Sequence, residues 1–427
     1  MFASLKSVAV GALTVAIAAL GQGYAAVAET TISFRYNDPD ISVIEAAIAE
    51  FEQANPDIDV ELERISWSDG RTQFLREAAT GTGPDVVHIA FVWPLELGRA
   101  GALLPLNDLI DAHGAQNGFD TFIATDLAVG PDGEIFALPW TADTSTMGYN
   151  ATVLEEAGVE VPRTWEELKE TSRLITERTG KVGFGFPAGS AASNSIWFMV
   201  NYYLWSHGHS LIEEDGNGGY RVGLDAETLT EAFTYFTDFM GDGGNPASNI
   251  AVSWGSELAA NEPIINGEQG IFMRTPSLVK SIIDAELAAS GADETSLRTT
   301  TVPQGSVGGI SHLGGRMLGI NANTEHPEEA YRLMQFLTSA GFFSDHLTAQ
   351  FPAQEPLLAE LTFAPALQGF AEQLPNARSW GAYANPLTPI GTMWAEMGRE
   401  FGSILVDEKT AKEAAQSYID GLNEMLN

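Results

Sequence analysis

Three short stretches carry residues whose type and spacing suggest chemistry. His207-Gly208-His209 sets two imidazoles two residues apart, the beginning of a metal site. A protein zinc site needs at least three ligands, and no third stands near in the sequence. Asp215-Gly216-Asn217-Gly218-Gly219 has the acid and glycine content of a calcium loop. It lacks the glutamate that closes such a loop, so it reads as a turn. Glu166 and Glu167 supply paired carboxylates. Adjacent residues cannot flank a glycosidic bond from two sides, and Glu167 stands three after Thr164, which is the far half of a helix capping box. No G-x-S-x-G, H-E-x-x-H, phosphate-loop or dinucleotide fingerprint is present. Bond-breaking machinery and resident cofactors or metals are therefore not expected. The chemistry left to explain is recognition, by nine tryptophans, ten tyrosines and a small set of arginines.

Composition narrows the setting. The 427-residue chain has no cysteine, which excludes disulfides and thiolate metal sites. Its formal charge of −36 opposes binding to nucleic acid or to anionic lipid through the general field. A hydrophobic content of 44% is too high for a disordered acidic chain. Met1 to Ala28 holds a single charge, Lys6, then an apolar run from Val8 to Leu20 and a small-residue Ala26-Val27-Ala28 site. That order predicts a secretory signal peptide over 1–28; the apolar run is too short to span a bilayer. With no cysteine for a lipid anchor, the expected product is a soluble periplasmic protein with no membrane insertion. The roughly 400 residues that follow exceed what one core usually supports, so two lobes are expected.

The elements alternate. Thr31 to Tyr36 reads as a strand, and Ile44, Ile48 and Phe51 recur at helical spacing until Asn55-Pro56. Ile58, Val60 and Leu62 alternate with acids as a half-buried strand. A helix through Phe74 to Ala79 ends at Gly81-Thr82-Gly83-Pro84, and Asp85 to Ile89 is a buried strand. Strand and helix in alternation predict an α/β sheet covered by helices. Thr164 and Thr410 each head a capping box, Pro327 opens a further helix, and Glu213 to Gly219 forms a hairpin tip.

Several segments occur in one order along nearly the whole chain. They are Gly83-Pro84-Asp85-Val86-Val87, Gly101 to Leu106, Asp132 to Pro139 continuing to Met147-Gly148-Tyr149-Asn150, Pro162 to Leu168, Gly267 to Met273, and Gly314 to Ile320 followed by Glu328 to Leu337. In that order they resemble the family 1 extracellular solute-binding proteins, the maltose-binding-protein-like group of sugar importers. The resemblance implies a two-lobed α/β periplasmic binding fold with the ligand held between hinged lobes. It places crossings near Tyr149-Asn150, Leu318-Gly319 and Phe351-Pro352. The N-terminal lobe would then comprise 29–149 plus 319–351, and the C-terminal lobe 150–318 plus 352–427. It further implies a monomer that carries a glycoside, disaccharide or oligosaccharide to ABC permease subunits, or closes for a chemosensory receptor. Trp140, Thr146 and Gly148 depart from the family's usual small or aliphatic residues, and they bear on the ligand rather than the fold.

Binding a sugar calls for planar hydrogen-bonding groups and flat aromatic faces. Trp93 stands just past a strand, where open α/β sheets place ligands, and Tyr36, Asn37 and Asp38 end the first strand. By resemblance, Asp143 aligns with an acidic sugar ligand, Trp140 lies in the same stretch, and Gly315 and Arg316 sit at the second crossing. Arg274 follows the Gly267 segment, and Trp254, Trp380 and Tyr383 are candidate platforms. Trp394 also aligns with a stacking position. An anionic sugar served by Arg35, Arg274 and Arg316 is the alternative ligand. An Arg–Asp ion pair across the closed lobes is the alternative role for Asp143 and Arg316, and a secreted glycoside hydrolase is the alternative from another class.

Overall fold

A computed structural model describes residues 30–37, 41–115, 117–190, 193–251, 257–346, 350–360, 362–384 and 390–426. The expected signal segment and the candidates Asp38 and Trp254 lie outside the described residues.

The first strand, β1 (Thr30–Tyr36), buries Ile32, Phe34 and Tyr36, as alternation requires. The helix Ser42–Ala54 lays Ile44, Ala47, Ile48 and Phe51 against it. The chain returns as β2 (Ile58–Arg64), parallel to β1 in the register Thr30 to Ile58 through Tyr36 to Arg64. The helix Trp67–Ala78 then leads to β3 (Val86–Ala90), parallel to β1 on its other side. This is the right-handed βαβ logic of an open sheet.

Ten more strands complete the described set: β4 (Leu138–Asp143), β5 (Thr146–Asn150), β6 (Val182–Phe184), β7 (Ile212–Glu214), β8 (Tyr220–Val222), β9 (Gln269–Arg274), β10 (Leu297–Thr300), β11 (Ser311–Ile320), β12 (Phe351–Pro352) and β13 (Ala377–Ser379). They form a first sheet of order β12-β4-β11-β3-β1-β2, with β13 paired to β11. A second sheet has the order β10-β5-β9-β6, and β7 and β8 make the hairpin expected around Glu213 to Gly219. Two helix-covered sheets give two lobes.

The sheets correct the crossing positions. The chain leaves the first sheet after Asp143 and enters the second at Thr146, not at Tyr149-Asn150. All of β11, from Ser311, belongs to the first sheet, so the return lies between Thr300 and Ser311 and not at Leu318-Gly319. Phe351-Pro352 pairs with β4, so it is an edge of the first sheet and the third crossing follows it. The physical reason is that β11 is a ten-residue strand that pairs with β3 and β4 over Gly314 to Ile320 and with β13 over Ser311 to Leu313.

The expected caps are present. Thr164 Oγ1 accepts the Glu167 N–H at 3.1 Å and Glu167 accepts the Thr164 N–H at 3.3 Å; Thr410 and Glu413 repeat the exchange. One hydrophobic cluster, including Ile32, Phe34, Phe51, Leu318 and Met334, lies within the first lobe. A larger one runs from Phe91 and Met317 into the second lobe around Trp197, Phe236 and Phe401.

Trp140 belongs to the first of these clusters. It is 1% exposed, its Nε1–H donates to the Leu337 carbonyl at 2.7 Å, and its ring meets His88 and Phe342. The expectation of a sugar-facing Trp140 is corrected: it faces inward because Leu138 and Trp140 share the strand face that packs on the helix Pro327–Leu337. Trp140→Phe should cost about 1–3 kcal/mol in urea unfolding, because the Leu337 carbonyl loses its donor. Ligand affinity should not change, and a loss of affinity without loss of stability would return Trp140 to the site.

Candidate ligand-binding site

Three strands of the first sheet end at one edge. β1 and β3 are parallel, β11 runs antiparallel to β3, and β4 antiparallel to β11, so β1, β3 and β4 point the same way. Their C-terminal ends bring Tyr36-Asn37, Trp93 and Asp143 to that edge, and β11 threads Gly315 and Arg316 between them. This is where open α/β sheets present ligands.

At the β1 end, Tyr36 is buried and stacks on His88 with centroids 4.8 Å apart. Its ring therefore serves packing. Asn37 is 5% exposed, and its N–H donates to His88 Nδ1 at 3.3 Å. Its side-chain Oδ1 is buried with no hydrogen-bond partner. A methyl at Gly70 would approach Asn37 Nδ2 to 2.9 Å, so a residue without a side chain is what lets Asn37 lie there. Asn37, Gly70, Arg71, His88 and half-buried Trp93 line a small cavity of about 10 Å³, the size of one water.

At the β4 end stands a buried ion pair. Asp143 is 6% exposed and accepts a hydrogen bond from Arg316 Nη1 on its Oδ2, while His312 Nε2 lies 3.4 Å from its Oδ1. Burial alone would raise the Asp143 carboxyl; the Arg316 charge and the His312 contact override it and hold the group below the usual carboxylate range. The pair joins neighbouring strands of one sheet, so it is not the cross-lobe contact that sequence reading offered as its alternative role. Gly315 permits it. Its φ is +150°, its carbonyl accepts the Phe91 N–H at 3.2 Å, and a Cβ there would overlap the Thr141 carbonyl and the Phe91 ring.

The second sheet meets this edge. The register of β5 with β9 sets Arg274 opposite Thr146, beside the crossing. Arg274 is half-buried; its Nε donates to Asn261 Oδ1 at 3.2 Å and its Nη1 to the Met273 carbonyl at 2.8 Å. Trp380 and Tyr383 are 3% and 1% exposed. Trp380 lies 4.9 Å from the Trp205 ring and 5.6 Å from Phe198, and Tyr383 hydroxyl accepts the Leu211 N–H at 2.9 Å. Neither is the open platform expected; both are core, drawn in by the tryptophans of the helix Ser193–Ser206.

Phe198 and His312, which the sequence did not single out, complete the edge with Trp394. Half-buried Phe198 stacks on His312 at 4.9 Å, and half-buried Trp394 lies 6.0 Å from Phe198. His312 itself is buried between Asp143 and Tyr202. Trp394 had a signal in its alignment. Phe198 was hidden in the apolar run Ile196 to Val200, and His312 has no motif around it. Arg35, offered for an anionic ligand, is spent elsewhere: its guanidinium donates to Glu63 at 2.8 Å and to Glu77 at 2.5 Å.

The family profile of the bacterial extracellular solute-binding proteins matches residues 37–341. The chain belongs to that family. A maltotriose-binding protein of Pyrococcus abyssi is 22% identical over 381 residues, covering 87% of this chain and 76% of the relative. An arabinooligosaccharide-binding protein of Halalkalibacterium halodurans is 26% identical over 207 residues, 47% of this chain and 43% of the relative. Among solved structures, the GacH receptor of Streptomyces glaucescens, determined unliganded and with acarbose, superposes with a TM-score of 0.76 at 22% identity, covering 93% of this chain and 98% of that one. The likeness shows the two-lobed fold of a solute-binding protein.

For this member of the family the Asp143–Arg316 pair makes a pH prediction. A carboxyl held low in the folded state contributes stability that is complete above its unfolded value, about pH 4, and is lost as pH falls through the lower folded value. Asp143→Asn should cost about 3–5 kcal/mol near pH 7, since it leaves Arg316 facing no charge. The gap from wild type should shrink below about pH 4. Unfolding curves that stay parallel down to acid pH would contradict this account of the pair.

Proposed function

We propose that this protein is the substrate-binding component of an ABC importer and captures a neutral glycoside or oligosaccharide by closing its two lobes. The observation that supports it most is Asn37: a buried amide oxygen without a partner, at the strand edge, in a small cavity that Trp93 also lines. An orphaned acceptor at such a place is matched by a ligand hydroxyl, and an indole face by the C–H face of a sugar ring. Asp143, Arg316 and Arg274 line the crossing, and Phe198 and Trp394 offer aromatic surface from the second lobe. The maltotriose- and arabinooligosaccharide-binding relatives support the same ligand class.

In this reading the first lobe comprises the β1–β4 region with β11 and β12, and the second comprises β5–β10 with the helices Ile390–Leu405 and Ala411–Leu426. Closing turns on the crossings at Thr144-Ser145, before Ser311 and after Pro352. The protein works by binding, as an exported periplasmic monomer without a lipid anchor, and hands its ligand to permease subunits. The anionic reading is less favoured, because Glu63 and Glu77 occupy Arg35 and Asp143 neutralises Arg316.

Calorimetry with maltotriose, arabinooligosaccharides and further neutral glycosides, against uronic acids, tests the assignment. Tight binding of a neutral sugar is expected; silence across the neutral panel would sink it. Asn37→Ala should weaken that sugar about tenfold, or 1.4 kcal/mol. It should leave unfolding stability within about 0.5 kcal/mol, because the amide oxygen it removes has no partner to lose. Trp93→Ala should weaken binding at least as much.

A further inference from the structure

Behind the Asp143–Arg316 pair runs a continuous buried chain of polar groups that the reading above does not use. His312 Nε2 faces the Asp143 carboxylate, 3.4 Å from Oδ1. The Tyr202 hydroxyl stands 2.5 Å from the His312 Nδ1. The same hydroxyl donates to Ser145 Oγ, on the crossing segment, at 3.0 Å. His312, Tyr202 and Ser145 are 4%, 1% and 7% exposed. The two rings lie parallel within 2° and Phe198 stacks on the imidazole from the same helix, so its orientation is fixed by packing as well as bonding. A side chain at Gly314 would collide with both Asp143 and His312. Every group along this path is thus held by a neighbour.

The members belong to different lobes. Asp143 ends β4, His312 and Arg316 lie on β11, Ser145 is the link between sheets, and Tyr202 projects from the second-lobe helix Ser193–Ser206. We propose that His312 is a positioning residue for ligand capture, joining the Asp143–Arg316 pair to the second-lobe helix through Tyr202. The proposal rests on the carbohydrate reading for its ligand. Through this path the aim of the Asp143 carboxylate and the seating of the second lobe are set together. A sugar held by Asp143 and Arg316 therefore favours the closed arrangement, and the closed arrangement favours the sugar. Phe198 adds a ligand-facing surface to the same helix, so helix placement and aromatic contact move as one.

The test uses maltotriose first and then the tightest sugar of the neutral panel, with the mature protein. Tyr202→Phe and His312→Ala should each weaken binding about tenfold, and the double variant should be no weaker than the worse single one, because both cut one path. His312→Gln, which keeps a donor near the Nε2 position, should recover most of the His312→Ala loss. Unchanged affinity with only a lowered Tm, or losses that multiply to about a hundredfold, would overturn the proposal. A ligand-free readout separates this from the carbohydrate reading. In urea unfolding, Tyr202→Phe and Asp143→Asn each remove a partner of His312, and the relay predicts that their effects are not additive. Additivity would overturn the relay even if a sugar binds well. Non-additivity together with silence across the sugar panel would leave the relay standing and remove the carbohydrate reading.

Discussion

The site depends on one buried ion pair at the place where the chain passes between lobes. Asp143 is the last residue of β4, and three residues later the second sheet begins. A carboxylate there cannot be buried alone, since removing a charge from water costs several kcal/mol without a partner. Arg316 supplies the partner from the adjacent strand, and Gly315 supplies the backbone bend that aims it. The pair therefore fixes the end of β4, the register break between Arg316 and Met317 in β11, and the starting direction of the crossing.

This constraint also explains the distribution of charge. The chain is strongly acidic, and both the buried Arg35 and the half-buried Arg316 are paired with carboxylates. Arg35 takes Glu63 and Glu77, and Arg316 takes Asp143. Beside these pairs the strand edge carries an unpartnered amide oxygen, from Asn37, and the side chains of Trp93 and Phe198. Such a surface suits hydroxyl groups and C–H faces better than it suits an anion, which would have to break an existing pair to gain a guanidinium.

Much of the fold was legible in the sequence because its signals are local. The alternation Ile58, Val60, Leu62, the capping threonines 164 and 410, and the proline at 327 each state a boundary through near neighbours. The edge position of Trp93 was legible for the same reason, as a residue just past a strand. What was not legible depended on which face of an element meets which partner. Trp140 sits in the family's characteristic stretch, yet strand alternation turns it to the helix Pro327–Leu337. Trp380 and Tyr383 are separated by well over a hundred residues from the helix Ser193–Ser206 that buries them, so no local pattern announces their fate. The crossings were misplaced because pairing partners, not sequence, decide the sheet to which Ser311 or Phe351 belongs.

His312 shows the limit most clearly. A lone histidine in a strand, with serine before it and leucine and glycines after it, is unremarkable as sequence. Its importance arises only from three partners at once: a carboxylate 169 positions earlier, a tyrosine 110 positions earlier, and a phenyl ring that stacks on it. Each contact alone would be ordinary packing. Together they set a polar partner opposite each ring nitrogen and a phenyl ring on its face, which holds the imidazole in one orientation. A group so constrained transmits displacement rather than absorbing it. Rotation of the second-lobe helix that moved Tyr202 would either break the bond to Nδ1 or carry the ring away from Asp143. Since the first alternative strands a buried ring nitrogen, the carboxylate and the helix are constrained to move together.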